Sequence, residues 1–403
     1  MPTTSYKARA FVEAARKLGV ETVIGSNEKQ ALDEISPAKS LQLDFSEAKK
    51  ATETIVQFAK LFPLKAIVPT DDETVILASI ASQALGLTHN PVDAVLTTRN
   101  KYRFRELLFK AGISSPRFQL VSIDDDPKKI EKVVGFPCVL KPLALSASRG
   151  VIRADTRTQF VEAFDRIKAI LRQPDAIARG EEEARHILME DYLPGNEVVL
   201  EGLLVKGELR VLAIFDKPEP LEGPYFEETI YVTPSRFAPS TQDQIKIQAG
   251  RVIDAVGLKE GPIHAEFRVS EKGIYPLETA ARSIGGNCSQ ALRFETGMTL
   301  EELILRHAIG AEIGTLKREK KASGVMMIPI PKNGVLKEIR GLKDAQAVPS
   351  IEEIKMSIKI GQPVTTLPEG SKYLGFIFAR HDTPEGVEAA LRAAHHRLEF
   401  VVA

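Results

Sequence analysis

Apolar residues recur at helical spacing near the start of the chain: Ala8, Phe11, Val12, Ala15 and Leu18 share one face of residues 5–18, and Gly19 supplies a stop. The run VETVIG (20–25) then reads as a strand, 46–61 as an amphipathic helix, KAIVP (65–69) as a second strand and 74–85 as another helix. Alternating helix and strand predicts a parallel sheet with helices on both faces. Such a fold usually opens on a strand, whereas this chain passes almost directly from Met1 and Pro2 into helix. The expectation is a sheet one strand short, or a recorded start downstream of the true one. Residues 89–112 resume helix, with Asn90 as cap and Pro91 at the first helical position.

From 113 to about 310 the pattern changes to apolar runs separated by turn residues. Strands are expected at 136–141, 186–190, 197–205, 209–215, 262–269 and 274–278, with helices at 156–172 and 240–256. The charged stretch GTLKREKKASG (314–324) reads as a connector. Beyond it GVMMIPI and KYLGFIFAR are expected strands and 384–397 a closing helix. Three units follow: residues 1–97, an α/β domain; 98–312, a mixed α+β domain; and 313–403, a small α+β tail.

Composition changes this picture little. Lys and Arg number 54 and so do Asp and Glu, so a non-specific nucleic-acid binder or a polybasic membrane binder is disfavoured. The two cysteines, Cys138 and Cys288, form no CxxC pair, which argues against a disulfide framework or zinc site. No secretory signal opens the chain and no apolar run reaches membrane-spanning length, so the cytoplasm is the expected compartment.

Candidate chemistry concentrates in three stretches. VLKPLALSASRGV (139–151) places Lys141 at the end of an apolar strand, before a loop of small residues. Backbone amides there can approach an anion, Ser146 and Ser148 can donate, and Lys141 and Arg149 bring charge. The alternative is a surface loop with a snorkelling lysine. HILMEDYLPGNEVVLEG (186–202) ends a strand at Glu190, Asp191, Tyr192 and Leu193, then turns to place Glu197 on the next strand. That suits a flat heterocycle and sugar hydroxyls, or else an acidic hairpin loop. TDDE (70–73) follows an expected strand at the sheet edge where ligands bind, but also suits a helix start.

The third stretch, PIHAEFRVSEKGIYPLETAAR (262–282), alternates Ile263, Ala265, Phe267 and Val269 against His264, Glu266 and Arg268. A three-residue turn Glu271–Lys272–Gly273 would pair Ser270 with Ile274 and set Glu266 opposite Glu278. Their β-carbons would then lie about 4.5–5.5 Å apart. Two such carboxylates suit a hard divalent cation, or form a solvated acidic pair beside Arg268 and Arg282. A two-residue turn would break the juxtaposition.

Together these stretches resemble the ATP-grasp superfamily, in particular its carboxylate–amine ligase branch, over about residues 97–310. The residues that carry the likeness are RNKYRFRELL with Lys101, GFPCVLKP with Lys141, the small-residue loop, MEDYLPGNE and the Glu266/Glu278 pair. The tail, with GVMMIPIPKNGVLKEIRG and YLGFIFARHDTPE, resembles the C-terminal domain of bacterial L-amino acid ligases. The resemblance implies a Rossmann-like N-terminal parallel-sheet domain and an ATP-grasp domain with a lid at about 113–188. It implies ATP and Mg²⁺, with Mn²⁺ as a substitute. Lys101 and Lys141 would contact phosphates, and Ser146, Ser148, Arg149 and Gly150 would close over them. Glu190, Asp191, Tyr192 and Leu193 would read adenine, Glu197 the ribose, Glu266 and Glu278 the metal, and Arg282 the transferred phosphoryl. ETAARSIGG departs from the family at Ala280, where an asparagine ligand is usual.

The implied reaction joins a small carboxylate to an amine through an acyl phosphate, in an enzyme expected to be a homodimer. Competing readings are a relative that activates formate or bicarbonate, and a nucleotide-binding protein without catalysis. Glu73, Glu201, Glu227 and Glu228 are candidates for holding a substrate ammonium, the last two in the proline-rich stretch 215–235 that would line the entrance. For His264 a hydrogen-bonded structural role is the better reading than a base. Cys288 reads as packing, and His395–His396 as a solvated face.

Overall fold

The computed structural model describes residues 1, 5, 7–28, 39–132 and 134–403. At the N-terminus Val23–Ser26 pairs in parallel with Lys39–Gln42, and the helices Ala48–Leu61 and Val75–Ala84 pack beside this pair. Residues 65–69, expected as a strand, enter no ladder among the described residues. Pro69 has no amide N–H to donate, and Ile67 and Val68 meet their apolar demand by packing into neighbouring clusters instead.

The expected helix at 89–112 is two helices, Val92–Arg99 and Lys101–Lys110. They break at Asn100, whose extended backbone lets its side chain accept from the amides of Tyr102 and Arg103, an N-cap arrangement. Asn90 is not a cap. Its amide instead donates to the carbonyl of Glu260 and its oxygen accepts from Lys259 and Glu260, clamping this segment to the central domain.

The lid is a four-stranded antiparallel sheet in the order Phe118–Ser122, His186–Asp191, Cys138–Pro142, Ile152–Ala154. The helix Arg157–Leu171 buries Phe160, Phe164, Ile167 and Ile170 against it. The body is an eight-stranded sheet. Its order is Gly273–Ala280, Gly261–Ser270, Asn196–Val205, Glu208–Lys217, Ile230–Thr233, Ala322–Ile328, Gly375–His381, Ile351–Met356. The ladder therefore crosses the boundary expected near residue 312: Val232 faces Gly324 and Tyr231 faces Val325. The central unit and the tail share one sheet.

Candidate active site

The hairpin built by Gly261–Ser270 and Gly273–Ala280 corrects one expectation and keeps its consequence. Ser270 pairs with Gly273, so only Glu271 and Lys272 form the turn. Alone, that register would separate the two glutamates. A bulge intervenes: Phe267 faces Pro276, while Glu266 faces Glu278, leaving Leu277 as the extra residue. The carbonyls of Pro276 and Leu277 accept from Arg105 at 3.0 and 3.1 Å. Arg105 is 1% exposed and also pairs with Glu190, Nε to Oε1 at 2.5 Å. One buried guanidinium thus holds both the bulge and the end of the lid strand. Nothing in the periodicity marks Arg105; it sits in an ordinary amphipathic helix.

The hairpin, the lid and the N-terminal and tail segments enclose an open cleft of about 620 Å³. Lys101, Lys141, Ser146, Ser148, Glu190, Asp191, Tyr192, Leu193, Glu197, Glu228, Glu266, Glu278 and Arg282 all line it. Lys101 donates to the carbonyl of Leu145 at 2.7 Å and lies 3.3 Å from Glu278, tying the small-residue loop to the hairpin. Ala147 and Ser148 adopt left-handed backbone, φ 54° and 55°. Gly150 is required where it stands, since a Cβ would fall 2.6 Å from Pro142 Cγ.

Lys141 leaves its strand for the cleft and pairs with Glu190 at 2.6 Å. The carboxylate of Glu190 is therefore engaged by Arg105 and Lys141. Burial opposes its charge, but these two cations hold its pKa at about 2. The amides of Asp191 and Tyr192 donate to Arg117 and Pro137, whereas the Leu193 amide donates to none of the described groups. The Arg153 guanidinium lies 4.0 Å from the Tyr192 ring centroid.

Other candidates are engaged in pairs or bonds of their own: Glu73 lines the cleft as well, whereas Arg149, Gly150, Glu201 and Glu227 do not. Arg149 turns away from the cleft to pair with Asp175 and to donate to Gln173 at 2.6 Å, and with Gly150 it belongs to the loop's support. Glu73 pairs with Arg179 of the lid at 2.7 Å. Glu201 is buried, bonded to His264 Nδ1 and accepting from the Ile284 amide at 3.0 Å, so it is spent on structure. Glu227 lies outside the cleft wall, with burial alone raising its pKa. Asp72 leaves the helix start to form a bidentate pair with Arg282, both contacts 2.8 Å. That pair holds the Asp72 carboxyl well below the ordinary range against its burial.

Lys217, another residue without a sequence signal, sits among three carboxylates. Its Nζ lies 2.5 Å from Glu197, 2.7 Å from Glu228 and 3.4 Å from Glu266. Glu197, Glu228 and Glu266 bring oxygens within 4.8 Å of one another, a group able to hold a metal, and the Lys217 ammonium already sits among them. The other oxygen of Glu197 takes Arg268 at 2.9 Å, and that of Glu228 takes the Tyr231 hydroxyl. Among the described residues Lys101, at 3.3 Å, is the one ion-pair partner of Glu278, whereas Lys217 and His264 both reach Glu266, the other half of the Glu266/Glu278 pair. Its hard oxygens, opposed across one ladder rung, fit a divalent cation of the Mg²⁺ kind. Ala280 is buried and adds no ligand.

His264 bridges Glu201 and, at 3.0 Å, Glu266. Burial disfavours its charge, yet the two carboxylates raise its pKa to about 9. A histidine already protonated at neutral pH cannot accept a proton there, which supports the structural role. Because the folded pKa lies above the unfolded value, its stabilisation is complete below about pH 6.5 and is lost as pH rises through 9. Thermal melting at a series of pH values should show stability falling between those limits. A His264→Gln protein should lack that slope; an unchanged slope would disprove the assignment.

Three family models match in chain order. Residues 12–89 match the ATP-grasp N-terminal domain, 134–291 the ATP-grasp domain, and 326–403 the L-amino acid ligase C-terminal domain 2. The chain belongs to the ATP-grasp superfamily. It resembles the alanine–anticapsin ligase of Bacillus subtilis (strain 168), 28% identical over 64% of this chain and 56% of that protein. Dapdiamide A synthase of Enterobacter agglomerans is 28% identical over 58% and 54%. These matches span a little over half the length of either relative. Among solved structures, the L-amino acid ligase from Bacillus licheniformis superposes with a TM-score of 0.82. It is 24% identical, and the match covers 98% of this chain and 95% of that one. No described helix is long and apolar enough to cross a membrane.

Proposed function

We propose that the protein is an ATP-dependent ligase that joins a small carboxylic acid to an amine. The observation that carries this reading is the Glu266/Glu278 pair facing Lys101 and Lys141 across one cleft under a lid. Mg²⁺ held by Glu266 and Glu278 would neutralise phosphate charge. Lys101, Lys141 and the 146–148 loop border the place for the triphosphate, and the unpaired Leu193 amide offers a donor to adenine. Glu197 stands at the ribose end.

A carboxylate oxygen of the acid attacks the γ-phosphorus, ADP leaves, and an acyl phosphate forms. The amine then attacks the acyl carbon, phosphate departs with its electron pair, and the amine gives up a proton. Positioning and charge neutralisation dominate such chemistry. Arg282, fixed by Asp72, would steady the transferred group. The acyl phosphate must be kept from water, and the lid supplies cover. It is tied to the N-terminal part by Arg179–Glu73 and to the tail by Arg166–Glu369, 2.5 and 2.9 Å.

The test is hydroxylamine trapping with ATP, Mg²⁺ and a panel of amino acids and other carboxylic acids. Hydroxamate and released phosphate are expected for at least one acid larger than formate. Phosphate release with formate or bicarbonate alone would favour the one-carbon alternative. No release with any acid would end the ligase reading.

A further inference from the structure

An α-amino acid carries an ammonium into whatever site binds it, and an ammonium removed from water needs a carboxylate to receive it. The cleft is rich in carboxylates, yet nearly all the described ones are held by cations of the chain itself. Asp72, Glu73, Glu190, Asp191 and Glu278 pair with Arg282, Arg179, Lys141, Arg117 and Lys101 respectively. Glu197, Glu228 and Glu266 surround the ammonium of Lys217, whose side chain is only 2% exposed. Glu228 has both oxygens engaged: Oε1 takes Lys217 Nζ at 2.7 Å and Oε2 takes the Tyr231 hydroxyl. Asp71 is the exception. Among the described residues its carboxylate accepts from the Thr70 hydroxyl alone, and it lies near the buried ammonium of Lys7, which donates to the Thr70 carbonyl at 2.8 Å.

The surface beside Glu228 is neutral. Tyr373, brought by the tail, lines the cleft there, and no described group bonds to its hydroxyl. Burial, with Glu228 and Glu227 nearby, pushes the pKa of that hydroxyl well up, so it stays a neutral donor and acceptor. Met327, Ile358 and Phe376 continue the wall as apolar surface, interrupted by the uncharged Ser357 and Gln362.

We propose that the acid activated in this cleft carries no ammonium: it is a carboxylic acid with an apolar body and a neutral polar substituent, of the kind found in a 2-hydroxy acid or an N-acylated amino acid. The proposal rests on the ligase reading above. Lys217 takes the position among Glu197, Glu228 and Glu266 that a substrate ammonium would otherwise fill, and a second cation there would be repelled by the first. Glu201 offers no alternative, being bonded to His264 and to the Ile284 amide, and Glu227 stands outside the cleft wall. A hydroxyl or acylamino group, by contrast, can bond to the Tyr373 hydroxyl without bringing a charge out of water. The rest of the acid then lies on the apolar surface of Met327, Ile358 and Phe376.

The experiment takes each acid that the hydroxylamine panel finds active and compares three forms of the same skeleton, with ammonium, acetylamino or hydroxyl at the α-carbon. Phenylalanine, N-acetylphenylalanine and phenyllactate form one such set, and the corresponding forms of leucine another. Hydroxylamine is the acceptor throughout, so only recognition of the acid varies. In the wild-type protein kcat/KM for hydroxamate formation should be about 10- to 100-fold higher for the better neutral form than for the ammonium form, the worth of one charge-assisted hydrogen bond. Lys217→Met releases Glu228 from its cation. Where that variant folds, as read by circular dichroism, the ratio should shift toward the ammonium form. A wild-type protein that uses the ammonium form as well as or better than both neutral forms overturns the proposal, whether or not Lys217→Met folds. So does a folded, active Lys217→Met that keeps the wild-type ratio. Absence of phosphate release by the wild type with every acid would instead sink the ligase reading itself.

Discussion

Replacing Glu278 with alanine is expected to lower ATP-dependent phosphate release by about a thousandfold or more, with the fold intact. The pair Glu266/Glu278 is the proposed metal seat, and a bound cation supplies several kcal/mol of charge stabilisation to phosphoryl transfer. The substitution also strips Lys101 of its carboxylate partner, 3.3 Å away. Phosphate release against Mg²⁺ concentration, alongside circular dichroism, reads both effects. Turnover retained in Glu278→Ala but lost in Glu228→Gln would move the metal to the group around Lys217, where Glu197, Glu228 and Glu266 converge.

The second large effect is expected at a residue that touches no reacting atom. Arg105→Ala removes the partner of a buried carboxylate and the donor to two bulge carbonyls at once. Breaking a buried ion pair on one side costs about 3–5 kcal/mol; Lys141 remains to Glu190, but the bulge loses its brace. Unfolding in denaturant should show that loss. Where the variant folds, its Mg²⁺ dependence should weaken too, because the register that sets Glu266 against Glu278 rests on the extra residue at 277. Wild-type stability in Arg105→Ala would refute this account of the hairpin.

Much of this architecture could be read from residue patterns because the relevant signals are local. The strands 186–191, 196–205, 208–217 and 261–270 and the helix Pro239–Val256 lie within a residue or two of expectation. Each is long, strongly periodic or bounded by turn residues. The break at Asn100 was hidden because both helices continue one apolar rhythm, and only the backbone shows the cap. The hairpin teaches a different lesson. Its turn has two residues where three were expected, and the bulge compensates by one, so the glutamates meet through two offsetting departures from regular pairing. No spacing rule contains that.

The charged residues divide along similar lines. Lys141, Glu266 and Glu278 could be singled out because each ends or lies on a recognisable strand, whereas Lys101, at the start of a helix, came only with the family resemblance. Arg105, Lys217 and Lys7 carried no such signal, since what distinguishes them is burial among groups distant in sequence. Arg149 shows the converse: a cation beside a small-residue loop, turned outward by Asp175 and Gln173.

The sheet that runs unbroken from Gly273–Ala280 to Ile351–Met356 makes the tail an architectural necessity rather than an appendage. Ile230–Thr233 is buried at all four positions, and on one side its neighbour is Ala322–Ile328, supplied from beyond the connector. Parted from that neighbour, it would be a naked apolar edge, open to pairing with the same edge of another chain. The tail thus covers an apolar edge through which two such bodies could otherwise pair.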